Sequence, residues 1–230
     1  MKHGRTAIRL PVAGWNAWDG RAERGTHRGR ELDQIEPLLR RRLSPLGRTA
    51  LASAFACTRG ESAVRMVFAS RHGELARSAD LLKAIARDED LSPTVFGLSV
   101  LNATAGLYAM ARQDRSEATA IAAGPETLTL GLIDAWARAC QQPGPPVLYL
   151  YADAPVPAEF APLPGDVETT LALAVLIDPQ ASGQLELSYE PCTDTPTPAS
   201  QAATFLAADH GTPAVWQGER RRWTWAWSPE

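Results

Sequence analysis

The segment Ser116-Glu-Ala-Thr-Ala-Ile-Ala-Ala-Gly124 reads as a short buried strand turning sharply into a helix from Pro125 to Gln141. A strand-to-helix elbow is where several acyl-transferring folds hold a nucleophilic Cys or Ser. The candidate positions here are Ile121, Ala122 and Ala123. Their side chains carry no heteroatom, so none can attack a thioester. The framework is that of a catalyst, and its centre has no chemistry.

The other reactive side chains are scattered. Cys140 stands in Arg138-Ala-Cys-Gln-Gln-Pro-Gly144, superficially an Ala-Cys-x-x-x-Gly motif, but at the end of the helix rather than at the elbow. It reads as an inert helix-end cysteine, and Cys57, on an apolar helix face, reads as core. Ser70 and Ser99 have no Gly-x-Ser-x-Gly context and read as capping or packing residues. His72, beside Arg71, Gly73 and Glu74, ends an apolar strand. It is either a hydrogen-bonded turn histidine or, with Arg71 and Glu74, a tie to a partner subunit. No His, Asp and Glu set has metal-ligand spacing, so neither a metal nor a cofactor is expected. Arg40, Arg41, Arg42 and Arg48 are a local basic cluster. They form either a solvated face paired with Glu31, Asp33 and Glu36 or a steering surface for an acidic partner.

The elements that must position these residues follow from pattern. Thr6 to Trp18 alternates and reads as a strand, followed by a mobile loop over residues 19–30. Pro37 to Leu43 reads as one helix, and Ser44-Pro45 starts another that runs to about Cys57, with Leu46, Ala50, Ala54 and Cys57 on one apolar face. Ala63 to Ala69 is a buried central strand, and Ser70 to Gly73 the turn at its end. Glu74 to Arg87 is a helix with Leu75, Ala79, Leu82 and Ala86 on one stripe. Ser92-Pro93 is a turn, and Thr94 to Met110 a further segment, a helix or a strand then a helix, rich in small residues. Pro145 to Tyr151 is a strand. Val167 to Ile177 and Gln184 to Tyr189 read as a hairpin across the turn-rich Asp178–Gly183. Pro191 to Pro198 is a linker, Ala199 to Ala208 a short helix, and Arg222 to Trp227 an edge strand with Trp223, Trp225 and Trp227 on one face that must be covered. The alternation of strands and helices predicts a layered α/β fold.

With 230 residues and 45% hydrophobic content, the chain can bury one domain of ordinary size. A net charge of -3, with acids and bases nearly balanced, argues against nucleic acid and anionic membrane as partners. Three cysteines without a Cys-x-x-Cys pair suit a reducing cytoplasm. The stretch from Met1 to Leu10 lacks the apolar region of a secretion signal. No apolar run nears the roughly 18 residues of a membrane span. The expectation is a soluble cytoplasmic protein.

Three stretches together resemble a known family. They are Val67-Phe-Ala-Ser-Arg-His-Gly-Glu74, Leu91-Ser-Pro-Thr-Val-Phe-Gly-Leu-Ser-Val-Leu-Asn-Ala-Thr-Ala-Gly-Leu-Tyr108 and Thr119-Ala-Ile-Ala-Ala-Gly124. Their order and spacing resemble the N-terminal half of β-ketoacyl synthases. They are most similar to the short synthase-like chain length factors of bacterial aryl polyene pigment clusters, a type II polyketide system, and Arg41-Arg-Leu-Ser-Pro-Leu-Gly-Arg48 fits that group. The resemblance covers about residues 5–178. It implies a thiolase-like fold: a single truncated ketosynthase domain over residues 1–230, layered α/β/α with a closing hairpin. Residues 179–230 would be the hairpin end, linker and Trp-rich tail.

The resemblance also implies function. An active synthase of this kind needs a Cys at the elbow and two later His residues. Here the Cys is absent, and the region after Ile177 has only His210. An unactivated thiol is mostly protonated at neutral pH, so without the pair no condensation is expected from this chain alone. Chain length factors are inactive partners in pseudo-symmetric heterodimers with a full-length β-ketoacyl-ACP synthase. By that similarity Leu75, Ser78, Ala79 and Leu82 would gate the acyl or polyene tunnel, and Phe96, Leu98, Ser99, Asn102 and Thr104 would meet the partner. Arg40, Arg41, Arg42 and Arg48 would be the surface for an acyl carrier protein. Two alternatives stand beside this reading: a stand-alone acyltransferase or hydrolase using Cys140 or Ser70, and a homodimeric module that binds an acyl chain or carrier protein.

Overall fold

The computed structural model describes residues 6–25, 32–141, 143–163, 165–207 and 212–228. The strands are β1 (Thr6–Trp18), β2 (Glu23–Gly25), β3 (Arg65–Ala69), β4 (Ala118–Ile121), β5 (Val147–Asp153), β6 (Leu171–Ile177), β7 (Gly183–Pro191), β8 (Ala214–Gln217) and β9 (Arg221–Ser228). The helices are α1 (Pro37–Arg41), α2 (Pro45–Cys57), α3 (Leu75–Ala86), α4 (Pro93–Gly97), α5 (Ala103–Arg112), α6 (Thr127–Gln141) and α7 (Gln201–Ala207). One mixed sheet runs β4-β3-β5-β6-β1-β7-β9-β8, with β2 paired to β1. The pairs β3/β4 and β3/β5 are parallel, and every other pairing is antiparallel.

The period-two alternation of β5 divides the core. Val147, Tyr149 and Tyr151 face α6 and α7 together with Leu132 and Phe205. Leu148, Leu150 and Ala152 face α2 and α5 together with Leu51, Phe55 and Tyr108. This is the expected α/β/α layering. Helix α2 starts as expected, with Ser44 Oγ accepting from the Gly47 N–H at 2.9 Å and Pro45 in the first turn. Its burial differs from expectation. Every residue from Thr49 to Cys57 is buried, so the helix is enclosed on all sides rather than on one face.

Four further expectations need correction. Strands β6 and β7 do not form a hairpin with each other, because β1 lies between them and pairs with both. A 13-residue strand can satisfy two neighbours along its length, and no local turn signal reveals that insertion. The closing hairpin is instead β8/β9. Strand β9 is not an edge: β7 flanks it on one side and β8 on the other. Its Trp223 and Trp225 are buried as expected, and Trp227 stacks on Trp15 with centroids 5.1 Å apart. Strand β4 is not buried; it ends the sheet among the described residues. The segment from Thr94 to Met110 is two helices. Ser92 caps α4 with Pro93 in its first turn, and the chain breaks at residues 98–102 before α5.

The loop expected at 19–30 contains β2, and its residues 26–30 lie outside the described residues, as do Glu31, Ala208 and His210. No helix among the described residues is long and apolar enough to cross a membrane.

Candidate functional site

Strands β3, β4 and β5 are mutually parallel through β3, so the segments leaving their C-terminal ends gather at one end of the sheet. Crevices outside the carboxyl ends of parallel strands are the usual place for ligands in α/β sheets. Three such segments meet here: the elbow after β4, the turn after β3 and the loop after β5.

The elbow holds Ile121 and Ala123 half-buried and Ala122 exposed. Ala123 donates its N–H to Thr127 Oγ1 at 2.8 Å, and that hydroxyl donates to the Gly124 carbonyl at 2.7 Å. Gly124 sits at φ +58°, a conformation in which glycine avoids the Cβ penalty. A 3-10 turn, Gly124–Glu126, then leads into α6. The helix lies tight on the sheet: a Cβ at Gly131 would fall 2.8 Å from Tyr149 Cε2 and 2.9 Å from Ala69 Cβ. The elbow opens on a cleft of about 460 Å³ walled by Ala123, Pro125, Gly165, Trp216 and Arg221. Arg221 Nη1 reaches Glu126 Oε2 at 2.6 Å, so the β8/β9 turn is clasped against the elbow. The side chains that the elbow presents, Ile121, Ala122 and Ala123, are hydrocarbon only.

The turn after β3 is built around Asp153, the last residue of β5. Its buried carboxylate accepts from the Ser70 hydroxyl at 2.8 Å, from the Tyr151 hydroxyl at 2.6 Å, and from the Arg71 and His72 backbone N–H groups. Burial first, and then the facing carboxylate, push the Tyr151 pKa well above its ordinary value, so the phenol stays a donor. Ser70 Oγ also accepts from the Gly73 N–H at 2.8 Å. Completely buried and engaged on both sides, Ser70 is a turn-former and is not presented to a substrate.

His72 Nε2 lies 2.7 Å from Asp166 Oδ1, and Arg71 Nη1 lies 2.9 Å from the same oxygen. Burial alone would raise the Asp166 pKa. The His72 contact, the Leu163 N–H and the Arg71 charge outweigh it and hold the carboxyl below its ordinary value. Glu74 accepts from Ser44 Oγ and pairs with Arg77. The cluster Arg71, His72 and Glu74 therefore has partners inside the chain. Asp153, Tyr151 and Asp166 were not singled out from sequence. Asp153 carried one signal, as the single charged residue ending an apolar strand.

Of the proposed gate residues, Ala79 is buried, Leu75 and Ser78 are half-buried, and Leu82 is 61% exposed. The stripe Leu75, Ala79, Leu82 and Ala86 is thus not a core-facing stripe in this chain. Of the proposed partner-facing residues, Phe96 is 61% exposed, Asn102 is exposed on its own account, Leu98 is half-buried and Ser99 exposes part of its surface. Thr104 corrects the expectation: it is buried in the first turn of α5 and is not part of that surface. Among the described residues, seven of the eleven exposed large apolar side chains fall between Leu82 and Met110.

The basic residues are Arg40, paired with Asp33 at 2.7 Å, and the exposed Arg41, Arg42 and Arg48. Cys57 is buried, and burial pushes its pKa up to about 12, so its thiol is inert. Cys140 is exposed near the far end of α6, about 20 Å along the helix from the elbow at the standard rise. Among the described residues no three His, Cys, Asp or Glu side chains converge as a metal site.

Comparisons with known proteins give one family and a consistent fold. The model of the family described as beta-ketoacyl synthase, N-terminal domain, matches residues 15–227. A chain of the Xenorhabdus doucetiae ketosynthase (ApeO) in complex with its chain length factor (ApeC) superposes with a TM-score of 0.78 at 21% identity. The match covers 95% of this chain and 99% of that one. The ishigamide ketosynthase/chain length factor matches with a TM-score of 0.61 at 15% identity, over 80% of this chain and 67% of that one. A beta-ketoacyl synthase from Burkholderia phymatum STM815 matches with a TM-score of 0.54 at 12% identity, over 82% and 66%. No curated protein matches the sequence.

Proposed function

Because this chain belongs to the β-ketoacyl synthase N-terminal-domain family and has the thiolase-like ketosynthase fold, we propose that it is a non-catalytic chain length factor. In this reading it forms a heterodimer with an active, full-length β-ketoacyl-ACP synthase and shapes the tunnel that receives the growing acyl or polyene chain. The product class is an aryl polyene pigment, the compartment is the cytoplasm, and an acyl carrier protein visits transiently through Arg40, Arg41, Arg42 and Arg48.

One observation carries the reading. Strand β4 is a partly exposed sheet edge packed against α5, and among the described residues most of the exposed large apolar side chains fall on the chain from α3 to α5. Open edges invite strand addition, and contiguous apolar surface marks an interface. The elbow directly after β4 offers only Ile121, Ala122 and Ala123, so the catalytic Cys must come from the partner. A steric gate suits such a substrate. An extended polyene is rigid and apolar, and side-chain bulk in a packed tunnel costs about 1–3 kcal/mol per misfit.

Co-expression with the candidate synthase, followed by native mass measurement, tests this reading. A one-to-one complex is expected. A well-behaved homodimer that ignores the synthase would favour the binding-module alternative. Turnover of malonyl-carrier substrate by the purified chain alone would refute the non-catalytic assignment.

A further inference from the structure

A loop connects Asp153, at the end of β5, to Leu171, at the start of β6. Among the described residues it exposes two large apolar side chains, Phe160 at 38% and Leu163 at 55%. Single exposed apolar residues are ordinary on protein surfaces. These two differ because the loop is held in place from both sides. Glu159 pairs with Lys83 of α3 at 2.5 Å. Asp166 is gripped by Arg71 and His72 from the turn after β3, and it accepts the Leu163 N–H at 2.7 Å. Pro162 restricts the chain between these ties, and Pro155 and Pro157 restrict it just before the first of them.

The same turn is continuous with the apolar face. A Cβ at Gly73 would fall 3.2 Å from Leu101 Cδ1, in the break between α4 and α5. Lys83 is the neighbour of the exposed Leu82. The loop after β5, the outer part of α3 and the α4/α5 junction are therefore joined around the turn after β3.

We propose that this loop is a second contact for the partner synthase, with Phe160 and Leu163 as apolar anchors set beside the α3–α4 face. The proposal rests on the chain-length-factor reading given above. Its partner is an apolar surface of the synthase that continues past the strand paired with β4. Fixing exposed apolar groups on an already ordered loop lowers the entropy cost of binding, which is what an anchor requires. The Glu159–Lys83 pair stands at the seam, where it ties the loop to α3.

Hydrogen exchange on the wild-type chain, alone and with the synthase, tests the proposal without any variant. Slower exchange at residues 158–163 in the complex is expected; unchanged exchange there, with protection at β4, would overturn it and leave the heterodimer intact. Phe160→Ser with Leu163→Ser should weaken the complex by about tenfold or more, the loss typical of a central anchor. Leu38→Ser, at an exposed leucine of α1, should leave affinity unchanged. Wild-type affinity in the double variant would overturn the proposal. If the wild-type chain shows no affinity at all for the synthase, the underlying reading fails and this inference falls with it.

Discussion

Ser70, the residue just after β3, donates its hydroxyl to Asp153, the last residue of β5, across 2.8 Å. That bond ties the ends of two neighbouring parallel strands and sets the turn that launches α3. Asp153 gathers four donors in all, from Ser70, Tyr151 and two backbone N–H groups. Removing it leaves all four without their acceptor in a buried site, so Asp153→Ala should cost roughly 3 kcal/mol. Ser70→Ala should cost about 1 kcal/mol, because the carboxylate keeps its other donors. The two effects should be strongly non-additive in urea unfolding of the double variant. Additive losses would mean that the bond does not couple the strand ends.

Strand β4 offers a clean way to separate folding from association. The Met66 N–H donates to the Glu117 carbonyl and the Ser70 N–H to the Ile121 carbonyl. In a parallel ladder this places the backbone groups of Thr119 and Ile121 toward β3 and those of Ala118 and Ala120 toward the open edge. Ala118→Pro removes an outward donor at the first strand residue, where proline is tolerated. It should leave thermal unfolding of the chain nearly unchanged and weaken synthase binding by about tenfold or more. Full binding by a folded Ala118→Pro chain would exclude β4 as the pairing edge.

Two helical glycines should respond in opposite directions. Gly131 faces Tyr149 and Ala69 so closely that an added methyl must displace α6, and Gly131→Ala should destabilise by roughly 1–3 kcal/mol. Gly106, in α5, has nothing within 4 Å of its Cβ direction. Gly106→Ala should stabilise the isolated chain by about 0.5–1 kcal/mol through helix propensity. Melting temperatures of the two variants, measured side by side, check the contrast; equal shifts would show that α6 does not seat on the sheet as described.

The Asp166 contacts make a defined contribution to acid stability. Its folded pKa lies below the ordinary 3.8, so the charged form is favoured by folding. That stabilisation is complete above the ordinary value and disappears as pH falls through the lower folded value. Asp166→Asn should therefore lower stability at neutral pH and flatten the acid limb below about pH 4. Unfolding free energies of wild type and variant should converge there. Parallel curves throughout the acid range would show that Arg71 and His72 do not hold Asp166 ionised.

What was legible in the sequence is what depends on near neighbours along the chain. Ser44 and Pro45 announce α2 because capping is decided within one turn, and the alternation from Thr6 to Trp18 announces β1 because the pleat has period two. That Ala122 and Ala123 at the elbow carry no heteroatom is likewise read from the sequence alone. Tertiary structure decided which strands meet. The insertion of β1 between β6 and β7, the enclosure of β9 by β8, and the exposure of β4 are choices of distant partners, and strand pairing carries no local signature. The same holds for the Ser70–Asp153 and His72–Asp166 contacts, whose partners lie 83 and 94 residues apart. The apolar stripe of α3 was visible as a pattern. Whether it faced a core or a partner depended on what the fold left uncovered, and the fold left Leu82 and Phe96 in the open.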